Sequence, residues 1–336
     1  MRKWGISVTQ KKETFKEKKM KFQRTLTRNQ KRNLFFGVMI VVPILLFMIF
    51  YGFINLNTIL LAFKKYEPAQ GSSIGYETSF AGLENFAVVM KMLAYGENWK
   101  MVTNSLILWV FKLFIGLSVS VIFSYYVYKR VAGSGFFRVV LFLPNIISNL
   151  IMVYLFRYFV NVGIKDIFNL KFGLLDNPNT TLGTIIFFNL WLGFASQTLM
   201  ITSAMSSIDE SVVESAQLDG VNAVGELIYI TLPMIYHTLT TFIIIGLAEI
   251  FVDQMSLTTF YDKFGVLPGM RTVGYFLFQQ AYESEVIPTT SWLSDHVNGK
   301  LSYSQLAAFG VMVSAVIIPT SFGVRKLLNA ISPNED

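Results

Sequence analysis

From Leu34 to Ile54 the chain runs LFFGVMIVVPILLFMIFYGFI, twenty-one residues without one charged side chain. A helix that is apolar on every side has no face to offer water and must be buried or meet lipid. About 20 such residues are what it takes to cross a bilayer. Pro43 inside the run would break a soluble helix, but spans tolerate proline where neighbours satisfy the freed carbonyl. Five further stretches follow the same pattern: Val102–Val127 with Lys112, Phe137–Phe156 with Pro144, Leu182–Ala204, Pro233–Phe251 and Leu306–Gly323. One of them alone could be a core helix, but six together exceed any soluble core. Only 15% of residues are charged, against roughly 25% in soluble domains, so a water-exposed surface of this size could not be covered. The sequence therefore predicts an all-α polytopic membrane protein with six transmembrane helices and a cytoplasmic helical loop.

Lysine and arginine set the orientation. Residues 1–33 hold twelve basic and two acidic residues. Lys129 and Arg130 lie between spans two and three, with Arg138 just beyond, and Arg325 and Lys326 follow span six. With six spans these regions share one side, expected to be the cytoplasm, and both termini are expected there. The expected organisation is a basic tail over 1–33, a six-span domain over 34–327 and a short cytoplasmic tail over 328–336. The apolar run is too long, and its flanks too basic, for a cleaved secretory signal. The tail is suited to anionic lipid, which also accounts for the net charge of +7 without a nucleic-acid partner. Outside, "LENFAVVMKML" from Leu83 predicts a short surface helix, and Asp253–Ser302 predicts turns and short helices.

With no cysteine and only two histidines, His237 and His296, thiolate and multi-histidine metal centres are excluded. No G-x-x-x-x-G-K-[ST] loop is present, so ATP binding is not expected in this chain. No combination of residues suggests a hydrolase or transferase centre.

One loop breaks the charge rule. Ser206–Leu232 has no lysine or arginine and five acids, Asp209, Glu210, Glu214, Asp219 and Glu226. Ser207 followed by Glu210 is a capping-box spacing, and Asp209 can cap instead. Gly220 ends that helix or admits a close neighbour. A second helix is expected over Ala223–Ile230, and Pro233 is expected to open span five. The outcome is a compact helical hairpin, either a capped interfacial element or a docking knob for a soluble partner.

This segment, 207–233, resembles the EAA loop of ABC importer membrane subunits, E-A-A-x-x-x-G, nine residues, then I-x-L-P. Glu214, Ser215 and Ala216 stand for the triplet, with Asp219–Gly220 and Ile230, Leu232 and Pro233 following. Ser215 departs from alanine but stays small. "GLENF" at Gly82, "NSL" at Asn104, "RVVLFLPNIIS" at Arg138 and "YSQLAAFGVM" at Tyr303 look like the binding-protein-dependent sugar-importer branch typified by maltose permease. The resemblance implies a pore half that pairs with a second, different permease subunit, two ATPase subunits and an extracellular solute-binding protein. ATP and Mg belong to the ATPase, and this chain carries no cofactor. It further implies that Glu214, Ala216, Asp219, Gly220 and Pro233 couple to the ATPase.

Polar side chains within spans are costly unless they face a cavity or a partner. For a sugar, amides and carboxylates meet hydroxyls and rings meet the apolar faces. Asn149, Tyr154, Asn189, Trp191 and Glu249 are the pathway candidates, with interhelical packing and interface anchoring as their alternative roles. Lys112 reads as snorkelling or paired. Glu249 and Asp253 are four apart and share a face. Import of a different solute by the same machinery, and a non-transport membrane scaffold, are the competing functions.

Overall fold

A computed structural model describes residues 27–68, 76–96, 98–261, 265–266, 268–283 and 301–332. The basic tail before Thr27, His296 and the last four residues lie outside these. The chain divides after Leu60 into two compact units. Four helices are long and apolar enough to cross a membrane, or up to six if each of two bent pairs counts as one span. This is a polytopic, almost wholly helical membrane protein.

The described residues of the first unit lie almost wholly in helix α1, Arg28–Leu61, which is longer at both ends than the apolar run and ends one residue into the second unit. Thr27 caps it: its hydroxyl accepts from Gln30 N, and the Gln30 side chain accepts from Thr27 N at 2.9 Å. At about 1.5 Å per residue its 34 residues exceed the ~30 Å hydrocarbon core. Pro43 lies within it, and a π-helical turn follows at Met48–Phe53.

The second unit opens with an antiparallel hairpin, β1 Lys64–Pro68 and β2 Tyr76–Phe80, with Lys64 opposite Phe80. The sequence did not announce these strands. The surface helix α2, Glu84–Ala94, forms as expected and buries Asn85, Val89 and Leu93, one every turn. Asn85 Nδ2 donates to Ala62 O and Lys64 O, both at 2.9 Å, and so fixes α2 to the root of the hairpin.

Three spans form much as the apolar runs predict: α3, Trp99–Tyr128; α6, Pro178–Met205; and α12, Tyr303–Ile331. Ser302 and Gln305 form the capping box of α12. Helix α3 packs along α6. A Cβ on Gly116 would meet Leu190 at 3.0 Å. Ser120 Oγ donates to Gln197 Oε1 at 3.0 Å, and Ser124 Oγ donates to Thr198 O at 3.1 Å. Small residues let the backbones approach, and hydroxyls then bond across the seam.

The predicted third and fifth spans are not straight. Helices α4, Ser134–Ile146, and α5, Asn149–Ile167, meet at 106°, where Ile147 and Ser148 are extended just beyond Pro144. Proline removes a helical donor and crowds the preceding turn, which favours a break. Helices α8, Ala223–Met234, and α9, Tyr236–Glu249, meet at 70° at Ile235.

Beyond α9 the chain makes a short helix α10, Leu257–Phe260, a 3-10 turn at Pro268–Met270 and helix α11, Val273–Glu283, the expected mixture within the described residues; 284–300 of the predicted stretch lie outside these. Asn104 on α3 anchors this segment: its Nδ2 donates to Gly269 O at 2.9 Å and Arg271 O at 3.0 Å. The neighbouring Ser105 Oγ accepts from Val273 N at 3.0 Å. Asn104→Leu strands two carbonyls at a buried position and is expected to cost about 2 kcal/mol. Thermal unfolding in detergent should show a lower midpoint; an unchanged midpoint would mean that the turn is held by other contacts.

Candidate functional site: a helical loop and an intramembrane cavity

The acidic loop begins where α6 stops. Ser207 does not cap the next helix as its spacing suggested; its hydroxyl donates back to Ala204 O at 2.7 Å. Asp209 takes that place, accepting from Ser211 N at 2.9 Å. The same backbone N–H, with the Ser211 side chain adding to it, holds the exposed Asp209 carboxyl below the usual carboxylate value. Helix α7, Glu210–Leu218, buries Val213 and Ala216 and leaves Glu214 exposed.

Gly220 ends α7. Its φ is +80°, and a Cβ there would meet nothing within 4 Å. Val221 N donates to Ala216 O and Gly220 N to Gln217 O, both at 3.1 Å, the paired bonds of a Schellman cap. Of the two roles open to this glycine from sequence, the chain itself uses helix termination. Asn222 then caps α8, its Oδ1 accepting from Gly225 N at 2.7 Å.

The second helix is not Ala223–Ile230 followed by a new start at Pro233. Helix α8 runs through a π-helical turn at Leu227–Thr231 and on to Met234, with Pro233 inside it. Leu232 N bonds to Leu227 O, and this wider turn brings proline, which has no N–H, into the helix just before the bend. The hairpin exposes Val212, Leu218, Val224, Ile228 and Tyr229, with Leu218 89% exposed. Exposed apolar side chains grouped with acids on a compact projection mark a contact surface.

Glu226 behaves differently from the other four acids. It is 2% exposed and meets Lys129 at the end of α3, whose Nζ lies 2.7 Å from Oε2 and 2.6 Å from Oε1. Sequence reasoning took Lys129 only as an orientation charge. The missed signal was a basic residue just past one span and an acid one turn into a helix of the same predicted side.

Among the spans, α3, α6 and α9 enclose a cavity of about 300 Å³ lined by Trp109, Lys112, Asn189, Gln197, Glu249 and Asp253, among others. Lys112 sits in a π-helical turn, Phe111–Gly116, and donates to Asp253 Oδ2, so its expected pairing is realised. Asp253 Oδ1 also accepts from Met255 N at 2.8 Å, and its carbonyl accepts from Thr272 Oγ1 at 3.0 Å. Glu249 and Asp253 share the cavity, as their spacing predicted.

The five pathway candidates divide. Asn189 and Glu249 line the cavity. Both Asn189 amide hydrogens go to backbone carbonyls, Ile185 O at 2.8 Å and Met255 O at 3.0 Å. Trp191 packs with Phe156 and Phe188, ring centroids 6.3 and 6.4 Å away. Asn149 and Tyr154 lie on the exposed side of α5, away from this cavity. Lys112, Gln197 and Asp253 join it instead.

No family model matches the chain. A probable ABC transporter permease of Mycoplasma pneumoniae is 30% identical over 165 residues, covering 46% of this chain and 49% of that protein; the chain thus matches about half of that relative's length. The sn-glycerol-3-phosphate permease UgpA of Shigella dysenteriae is 24% identical over 62% of this chain and 72% of its own length. The multiple sugar-binding transport permease MsmF of Streptococcus mutans is 22% identical over 73% and 83%. Among solved structures, a subunit of a bacterial ABC transporter that imports the acidic polysaccharide alginate matches with a TM-score of 0.68 and 18% identity, covering 91% of this chain and 99% of that one. A bacterial alginate ABC transporter in complex with an alginate-pentasaccharide-bound periplasmic protein matches with a TM-score of 0.67. The chain is thus similar to several permease subunits of ABC transporters, and it shares its fold with a subunit of the alginate transporter along most of its length.

Proposed function

We propose that this chain is the non-catalytic permease subunit of an ATP-driven importer for a sugar or oligosaccharide, and that it forms half of the translocation pathway. The cavity between α3, α6 and α9 carries this reading. A scaffold has no use for two carboxylates, a lysine and two amides converging within a membrane, where each is costly unless it serves a cavity or partner. The relatives named for sugar, glycerol phosphate and polysaccharide transport support the solute class. Among the described lining residues the one cation, Lys112, is engaged by Asp253, and Glu249 remains as acidic excess. Such a wall suits neutral, hydroxyl-rich solutes better than phosphate, which calls for basic groups.

In this reading the chain sits in the bacterial cytoplasmic membrane with both termini inside, its six-span domain over 34–327 between cytoplasmic tails. The segment 207–233 docks on one of two ATPase subunits. Glu214 gives the polar contact within an apolar rim, Asp219 and Gly220 fix the end of α7, Ala216 packs α7 onto its own subunit, and Pro233 joins the loop to the bend before α9. A second, different permease subunit completes the pathway, and an extracellular binding protein delivers the solute; the alginate transporter forms a complex with a periplasmic protein that holds an alginate pentasaccharide. ATP hydrolysis belongs to the ATPase subunits.

Two outcomes test the reading in the assembled transporter. Glu214→Lys is expected to release the ATPase subunits on purification or to abolish uptake-linked hydrolysis; full association with normal stimulated hydrolysis would remove Glu214 from the contact. Glu249→Ala removes a charged hydrogen-bonding group from the cavity and is expected to lower solute uptake about tenfold, with the ATPase subunits still bound. Normal uptake kinetics would leave Glu249 a packing role only.

A further inference from the structure

Lys129 and Glu226 belong to elements that are not consecutive in the chain. Helix α8 continues covalently into α9, and α7 follows from α6, but nothing in the chain order joins the loop to α3. The structure makes that connection where Glu226 and Ala223 of α8 meet Lys129 and Tyr125 at the end of α3. The Glu226 side chain is 3% exposed and that of Lys129 23%, and the ammonium spans both carboxylate oxygens. Tyr125 Oη donates to Ala223 O at 2.9 Å, one turn before Glu226. The Lys129 ammonium also lies 5.8 and 5.9 Å from the ring centroids of Tyr125 and Tyr128, within cation–π range. Beneath this, Val121 of α3 packs with Ile201, Met205 and Ile235, and Leu227 and Leu232 of α8 close over them.

A buried ion pair is poor evidence of net stability, because desolvation offsets its attraction. Its better-attested use is geometric: losing either partner strands a charge, so one arrangement is selected. A neutral packing contact would have held α8 with less constraint. The position matters as well. Lys129 lies 17 residues along α3 from Lys112, about 25 Å at the helical rise, and Lys112 holds Asp253 across the cavity.

We infer that the Lys129–Glu226 pair is a clamp that makes the loop hairpin and helix α3 move as one body, so that thrust on the loop reaches the Lys112–Asp253 contact through α3 as well as through α9. Lys129 and Glu226 are positioning residues that touch neither solute nor nucleotide. The inference rests on reading 207–233 as the surface that docks on the ATPase.

The test uses the complete transporter in liposomes, with ATP hydrolysis measured with and without its binding protein. Lys129→Met and Glu226→Gln are each expected to lower the stimulated hydrolysis about tenfold while the ATPase subunits remain bound. The exchange Lys129→Glu with Glu226→Lys is expected to recover most of it. Hydrolysis at the original level in both single variants, or an exchange no better than either, overturns the clamp. This chain has no cysteine, which gives a second arm. With Lys129→Cys and Glu226→Cys, closing the gap with a short bifunctional thiol reagent should restore the stimulation that the reduced form lacks. A cross-linked form as slow as the reduced one overturns the clamp even if the single variants fold poorly. Loss of the ATPase subunits from Glu226→Gln, with Glu214→Lys still binding them, would instead overturn the docking surface on which the inference rests.

Discussion

The seam between α3 and α6 is the contact from which the rest of the second unit hangs. Gly116, Ser120 and Ser124 keep one side of α3 small. In lipid, apolar side chains gain little by moving from tails to neighbours, so helices associate through close packing and hydrogen bonds. Once α3 is seated, its other residues become fixed points. Asn104 and Ser105 take hold of the segment after α9, Lys112 reaches Asp253, and Lys129 reaches Glu226. One helix thereby touches the segment after α9, the cavity and the loop.

The polar groups within the spans are arranged to satisfy one another along this helix. A lysine facing two acids across a cavity leaves an acidic excess of one at Glu249. Asn189 uses its amide to hold Met255 O rather than to face the cavity with donors. Met255 and Ser256 have positive φ, 53° and 55°, a conformation that non-glycine residues adopt at some cost. Asp253 and Asn189 bond to Met255 from either side and so hold that turn at the cavity rim. The cavity is thus built partly from backbone held in place by side chains.

The broken helices have a common physical origin. Pro144 lies three residues before the break at Ile147, and Pro233 two residues before the bend at Ile235. A missing donor weakens the helix ladder, and neighbouring helices can then satisfy the freed backbone at another angle. Hydropathy alone could not reveal this, because a bent pair and a straight span contain the same residues. The expected starts at Ser207 and Pro233 failed for the same kind of reason. Capping depends on where the backbone turns, and Asp209, not Ser207, stands at that turn.

The sequence by itself determined membrane insertion, the approximate place of every apolar run and the shared face of Glu249 and Asp253, and it narrowed Lys112 and Gly220 to two roles each. Each follows from local chemistry: length without charge, helical spacing, and a residue able to adopt positive φ. Only the tertiary structure decided which polar residues converge. Glu249 and Asn189 share a cavity while Asn149 and Tyr154 stand apart, and Trp191 serves an aromatic cluster. It also decided that one of five loop acids is buried on a lysine ninety-seven residues away. Such partners are set by how helices cross, and crossing is governed by the shapes of whole faces, which no single stretch of sequence carries.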